Sequence, residues 1–172
     1  MEDSGGSVAM QPLDHVNRIL LAELSRDGRK TVRALASLVG LSEPAVRDRL
    51  DKLSREGVVT GHRAVIDPQA VGAGTAAFVA LRFSSEPGAK AAVKTALHQE
   101  ACVLEIHEIA GEDCYLIKVR VGTTVELADA LDRIRAIPAI SHTNSTVVLR
   151  TVLERPVTIK HGQPADGHEE NR

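Results

Sequence analysis

The stretch LASLVGLSEPAVRDRL, residues 35–50, carries side chains that could read DNA. Arg47 and Arg49 lie on a predicted helix that begins after Ser42, and Gly40 separates this helix from the one before it. Two helices joined by a short turn that contains glycine are typical of a helix-turn-helix, in which the second helix enters the major groove. An arginine there can donate two hydrogen bonds to guanine. The spacing therefore predicts a DNA-reading helix, with a hairpin that only packs as the alternative.

The apolar stripe of this helix indicates which side chains face away from the core. Val46, Leu50 and Leu53 recur at helical spacing and are predicted to face inward. Arg47 then faces outward, where it can contact a base or clamp a phosphate. Arg49 lies nearer the stripe and is expected to flank a phosphate or to make an internal salt bridge. The predicted DNA-binding residues are Lys30, Thr31, Arg33, Ser42, Glu43, Pro44, Arg47, Asp48 and Arg49.

Three helices are predicted to position these side chains. Asp14, Thr31 and Ser42 each precede an amphipathic segment, and their side chains can accept a hydrogen bond from the backbone at a helix start. Gly40 stands where the second helix ends, a position that favours left-handed backbone. The β-branched stretch VVTGHRAVID, residues 58–67, is predicted to be a strand. We therefore expect a winged-type helix-turn-helix domain.

A second region, residues 74–155, alternates strands and helices in the order β-α-β-β-α-β. Its clearest strand is CYLIKVRV, in which every second residue from Tyr115 to Val121 is apolar. Thr123 and Glu126 form a capping box at the start of the second helix. This order is typical of a ferredoxin-like domain, an antiparallel four-stranded sheet with both helices on one face. The uncovered face is predicted to pack against a second copy of the chain.

Composition and charge exclude several classes of protein. Residues 14–63 carry ten basic and seven acidic side chains, although the whole chain has a net charge of −2. Aromatic residues make up only 2% of the chain, whereas proteins that bind single-stranded nucleic acid stack bases on aromatic rings. Double-stranded DNA is therefore the expected nucleic-acid partner.

Other sites and locations are predicted from what the sequence does not contain. The two cysteines and the histidines near them show no close ligand spacing, so no metal and no cofactor are expected. The sequence contains neither a nucleophile elbow nor a phosphate-binding loop, so an enzyme is not expected. No apolar run approaches the length of a membrane span, and the first residues do not resemble a signal peptide. The expected location is the cytoplasm, with no membrane partner.

The predicted fold class is α+β, in five segments. Residues 1–12 and 156–172 are predicted to be flexible tails. Residues 13–60 form the helix-turn-helix domain, residues 61–73 a linker strand and hinge, and residues 74–155 the ferredoxin-like domain.

Three stretches resemble the leucine-responsive and asparagine regulator family, Lrp/AsnC. The cadence LS...V..RL..L...GVV.G..A.ID, which starts at Leu41, is followed by AGEDCYLIKVRV and ISHTNSTVVL. The resemblance implies a transcription regulator that dimerises through its sheets and assembles into octamers or other multiples of dimers. It also implies that an amino acid or a related metabolite binds near the loop before Tyr115. The implied effector-binding residues are Gly111, Glu112, Asp113, Cys114, Thr143 and Ser145.

Two positions depart from the family pattern. The family loop often reads Gly-x-x-Asp followed by an aromatic residue, but Cys114 precedes Tyr115 here. Ala45 also replaces a hydroxyl that many members carry on the recognition helix. The effector and the operator therefore stay open. Two alternatives also stay open: an architectural DNA-binding protein with little effector response, and a small-molecule-binding regulatory module that acts on protein partners.

Overall fold

The first three helices begin directly after the cap residues that the sequence predicts. A computed structural model describes residues 13–159. Its first helices are α1 (His15–Arg26), α2 (Val32–Val39) and α3 (Glu43–Arg55). Asp14, Thr31 and Ser42 each accept a hydrogen bond from the backbone N–H three residues later. All three predicted helices and their caps are confirmed.

The first helices pack around a small aliphatic core. Leu20, Leu35 and Val46 are fully buried, and Ala36 is nearly so. Leu50 lies at the edge of this cluster rather than inside it. One aliphatic side chain from each helix therefore fixes how α3 is held against α1 and α2.

The turn between α2 and α3 depends on Gly40. Its φ of 68° lies in the left-handed region, which glycine adopts without a Cβ penalty. The N–H of Leu41 then donates to the Ala36 carbonyl at 3.1 Å, which closes the end of α2. The predicted helix-turn-helix geometry is confirmed.

The strand predicted at residues 58–67 does not form among the residues that the structure describes. Described residues between α3 and residue 75 form no strand. Val65 is 97% exposed, and no other segment of the described chain pairs with this stretch as a sheet neighbour. β-Branched residues favour extended backbone, but a strand also needs a hydrogen-bonding partner, and a local pattern cannot supply one.

The second region forms the predicted four-stranded sheet with two helices. Its elements are β1 (Thr75–Phe83), α4 (Ala89–Gln99), β2 (Val103–Glu108), β3 (Tyr115–Val121), α5 (Thr124–Arg135) and β4 (Ile140–Val148). The strand order is β2-β3-β1-β4, and every pair is antiparallel. The predicted ferredoxin-like arrangement is confirmed.

Alternation along the central strands divides the sheet into two faces. Val79 and Leu81 of β1, and Ile117 and Val119 of β3, are fully buried. They pack with Leu97 of α4 and with residues of α5 in one cluster. Their neighbours in sequence point to the opposite face, because side chains alternate along a strand. Both helices thus cover one face and leave the other open.

The described residues form two units. The first contains residues 13–64 together with residues 154–159, and the second spans residues 65–153. The predicted tail 1–12 and most of the predicted tail 156–172 lie outside the described residues. Over residues 13–159, no helix combines the length and the apolar character needed to cross a membrane.

Candidate functional site

The outer face of α3 presents the predicted reading residues. Val46 and Leu53 bury the inner face, and Arg47 projects on the exposed side. Within residues 13–159, Arg47 has no hydrogen-bond or ion-pair partner. Glu43, Pro44 and Asp48 are exposed on the same helix. The predicted outward set therefore shares one accessible helix surface, and the Arg47 guanidinium is available to an incoming acceptor.

Arg49 forms an internal salt bridge, which is one of the two roles that the sequence predicts for it. Its Nη1 donates to Asp14 Oδ2 at 2.5 Å and to Asn17 Oδ1 at 3.1 Å. These contacts join α3 to the start of α1. Partial burial by itself raises the pKa of Asp14, but the hydrogen bond from Asn17 and the pairing with Arg49 together bring this pKa below its ordinary 3.8. Arg49 thus supports the reading helix from behind.

The side chains of Lys30, Thr31 and Ser42 also make contacts within the chain. Lys30 forms an ion pair with Glu23, and its hydrogen bond and charge hold the pKa of Glu23 below the usual value. The hydroxyls of Thr31 and Ser42 cap α2 and α3. Arg33 is exposed on α2. Thr31 and Ser42 are exposed but hydrogen-bonded as caps. The predicted DNA-binding residues that are exposed and have no side-chain hydrogen bond or ion pair within residues 13–159 are Arg33, Glu43, Pro44, Arg47 and Asp48.

The loop between β2 and β3 is tied to the end of β1. The Cys114 N–H donates to the Leu81 carbonyl at 2.8 Å, and the Ile109 N–H donates to the Cys114 carbonyl at 3.1 Å. Gly111 and Glu112 are exposed, whereas Asp113 and Cys114 are partly buried. The first four predicted effector-binding residues therefore lie together on one short loop.

The other two predicted effector-binding residues lie elsewhere in the sheet. Thr143 pairs with Leu81, and Ser145 pairs with Val79, on the far side of β1 from β3. Because their partners face the helices, both side chains point to the helix-covered face. Thr143 accepts a hydrogen bond from Arg135 at 3.2 Å. A single chain does not bring these two residues to the loop.

Sequence reasoning missed Arg82, which contacts the loop directly. Its Nη2 donates to Glu112 Oε2 at 3.1 Å and to Asp113 Oδ1 at 3.4 Å. Arg82 lies next to the last residue of β1. The contact spans about thirty residues and depends on the pairing of β1 with β3, so no local signal identifies the partner.

The open face of the sheet combines apolar and charged side chains. Phe78 is 37% exposed at its centre, and it pairs in register with Lys118. Lys118 donates to Glu105 at 3.1 Å, and His107 lies 3.0 Å from the other oxygen of Glu105. The hydrogen bond from His107 and the charge of Lys118 lower the pKa of Glu105. Apolar centres with satisfied charged neighbours are typical of a surface that another protein covers.

A cavity of about 530 Å³ lies between the end of β1, the start of α4 and the residues before β4. It is lined by Ser84, Glu86, Pro87, Gly88, Ala89, Ala92, Pro138 and Ala139. Glu86 is its one charged lining residue, and none of the predicted site residues lines it. The cavity therefore adds no chemistry to the loop or to α3.

Both parts of the chain match known domain families. Residues 13–54 match the AsnC-type helix-turn-helix domain, and residues 76–158 match the Lrp/AsnC ligand-binding domain. The HTH-type transcriptional regulator LrpA of Mycobacterium tuberculosis is 40% identical over 144 residues, which cover 82% of this chain and 93% of that protein. The proline dehydrogenase transcriptional activator of Rhizobium radiobacter is 37% identical, over 83% of this chain and 92% of its own length.

Solved structures show the same arrangement of elements. The crystal structure of M. tuberculosis LrpA matches with a TM-score of 0.74 and 40% identity, over 86% of this chain and 100% of that one. A feast or famine regulatory protein from M. tuberculosis, complexed with L-methionine, matches with a TM-score of 0.77 and 39% identity. That match covers 86% of this chain and 99% of the other.

Proposed function

This chain belongs to the Lrp/AsnC family of DNA-binding transcriptional regulators, and we propose that it reads DNA through the outer face of α3 and senses an amino acid at the β2–β3 loop. The resemblance predicted from the sequence is confirmed. The chain is a regulator, as its relatives are, and not an enzyme.

Arg47, which is exposed and has no partner among the residues that the structure describes, supports the proposal for DNA reading. It lies in the first half of α3, the part of a recognition helix that contacts base edges. Arg33 adds a second exposed cation on α2. Glu43 and Asp48 flank Arg47 and repel phosphate, which favours contact with bases over contact with the backbone alone. We expect sequence-specific binding of double-stranded DNA.

The open face of the sheet carries the proposal for assembly. A half-exposed Phe78 between satisfied charged groups supports packing of two such faces by twofold symmetry. Dimers of this kind would assemble further into octamers or other multiples. Two reading helices on one dimer would then bind two half-sites of an operator.

The loop of residues 111–114 carries the proposal for sensing. A similar regulator was solved with L-methionine bound, which supports an amino acid as the class of effector. Glu112 and Asp113 provide acceptors for an α-ammonium group. Binding that prefers one assembly over another changes the affinity for DNA through linkage. Thr143 and Ser145 remain predicted contributors, although both face the helix-covered side of the sheet, away from this loop of the same chain.

A genome-wide map of DNA binding tests the reading proposal. Wild type and Arg47→Ala are compared in the cells that produce the protein. We expect enriched sites with a shared motif in wild type and loss of that enrichment in the variant. Uniform coverage without a motif would instead support the architectural alternative. The absence of any DNA binding would support a module that acts on protein partners.

Calorimetric titration of the full chain tests the sensing proposal. Each standard L-amino acid is added to the protein, and binding of one or a few is expected. If none of them binds, the proposed sensing is wrong.

A further inference from the structure

We propose that Arg82 is the receptor for the α-carboxylate of the effector, and that it exchanges its contacts with Glu112 and Asp113 for that carboxylate. The inference rests on the proposed sensing function and identifies how the same loop recognises its ligand. In this arrangement the loop carboxylates bind the α-ammonium, which is the other charged group of the ligand.

The Arg82 guanidinium has one edge, formed by Nε and Nη2, whose donors are only partly satisfied by hydrogen bonds. Nη2 is shared between Glu112 and Asp113, at 3.1 and 3.4 Å. Nε is buried, and no acceptor within residues 13–159 receives its N–H. An arginine binds a single carboxylate best through two parallel hydrogen bonds from neighbouring nitrogens. A ligand carboxylate on the Nε–Nη2 edge would therefore satisfy both donors at once.

Arg82 can release its present partners at a small cost, because its hydrogen bonds to them are weak. Charge-assisted N–H···O bonds are usually about 2.7–2.9 Å long, so both bonds from Nη2 are at the weak end. The Glu112 side chain is 91% exposed, and its carboxylate returns to water when Arg82 leaves it. Asp113 is more enclosed, with 24% of its side chain exposed. Asp113 is therefore the better placed acceptor for an α-ammonium group.

The position of Arg82 indicates the face on which the effector binds. Leu81 before it is fully buried on the helix-covered face, so Arg82 projects from the open face. Thr143 lies two strand spacings from Tyr115, about 10 Å away, and points to the other face. An amino acid held by Arg82 and Asp113 thus lies at the end of the open face. Its binding is then coupled to packing on that face.

The test measures how the full chain discriminates an amino acid from its uncharged derivative. The probes are the standard L-amino acids and the α-carboxamide of each one that binds wild type, titrated by calorimetry. The variants are Arg82→Gln, which removes the charge, and Arg82→Lys, which keeps the charge but not the two-nitrogen edge. Arg133→Gln is the matched control, because Arg133 also pairs with a carboxylate in this domain, that of Glu100. Thermal melting without ligand checks that each variant is folded.

We expect wild type to bind the acid at least tenfold more tightly than its carboxamide. Arg82→Gln should weaken binding of the acid by about 10- to 100-fold and bring acid and carboxamide close to equal affinity. Arg82→Lys should lie between, and Arg133→Gln should match wild type. If Arg82→Gln keeps the preference for the acid, the Arg82 inference is wrong and amino-acid sensing stands. If no amino acid binds wild type, both are wrong.

Discussion

Arg49 of α3 and Asp14, the cap of α1, form an ion pair at 2.5 Å that joins residues 35 positions apart. Arg47, two residues earlier, has no partner among the described residues and faces outward. Two arginines on one helix therefore differ in role: Arg49 holds α3 against α1, and Arg47 is exposed for the proposed contact with DNA.

Replacement of Arg47 is expected to change DNA recognition without changing stability. Arg47→Ala should weaken binding to a preferred site by about 1–3 kcal/mol and relax the sequence preference, because a two-bond contact to a base is lost. Gel-shift titration on preferred and scrambled DNA measures both effects. Arg55→Ala is the control, since Arg55 is exposed at the far end of α3 and should leave the preference unchanged. Equal preference in wild type and Arg47→Ala would refute the assignment.

Replacement of Asp14 is expected to change stability in a pH-dependent way. Asp14→Ala loses the cap and the ion pair and should cost about 1–2 kcal/mol, whereas Asp14→Asn keeps a capping side chain and should cost about 0.5 kcal/mol. Because folding lowers the pKa of Asp14, its charge stabilises the fold above the ordinary value of 3.8. The difference between wild type and Asp14→Asn should therefore shrink as the pH falls through the lowered pKa. Urea unfolding from pH 7 to pH 3 measures it, and a difference independent of pH would contradict the prediction.

Substitution of Gly40 is expected to strain the turn before α3. A Cβ at this position meets no atom within 4 Å, so the cost of Gly40→Ala comes from the φ of 68° alone. We expect a loss of about 1–2 kcal/mol for alanine and a smaller loss for asparagine, which tolerates left-handed backbone better. Thermal melting compares the two variants. Equal melting temperatures for alanine and asparagine would argue against backbone strain as the cause.

Substitution of Gly122 is expected to be costly because of a close approach. A Cβ there would lie 2.8 Å from the backbone oxygen of Gly72 and 3.1 Å from the Glu126 carboxylate. Gly122→Ala should therefore destabilise the protein by about 1–3 kcal/mol. Gly74→Ala is a suitable control, because its Cβ would meet only the Gln69 side chain, at an ordinary 3.6 Å. Similar unfolding midpoints for the two variants would show that the loop can move aside.

A charge on the open face of the sheet is expected to separate subunits. Phe78→Asp should convert an oligomer into smaller species, because it places an unpaired carboxylate at the centre of the proposed interface. Light scattering after size-exclusion chromatography measures the mass. Val125→Asp is the matched control, since Val125 is 69% exposed on α5, away from that face. An unchanged mass for Phe78→Asp would place the interface elsewhere.

Local patterns predicted most of the elements and part of the candidate site. Thr123 caps α5 through the N–H of Glu126, three residues away, as the capping box requires. The same spacing works at Asp14, Thr31 and Ser42, because a cap and its donor are always near in sequence. The outward position of Arg47 also follows from helical periodicity alone. These predictions needed no knowledge of distant contacts.

The sequence by itself determined the helices, the side-chain caps of α1, α2, α3 and α5, the succession of strands and helices along the second region, and the exposed side of α3, since each depends on residues within about one or two turns. Only the tertiary structure decided which groups meet across longer separations. It pairs Arg49 with Asp14, turns Thr143 towards the helices and brings Arg82 to Asp113. It also leaves residues 58–67 without a strand partner among residues 13–159. The physical reason is that register and chain folding set these contacts, and neither is encoded in a local repeat.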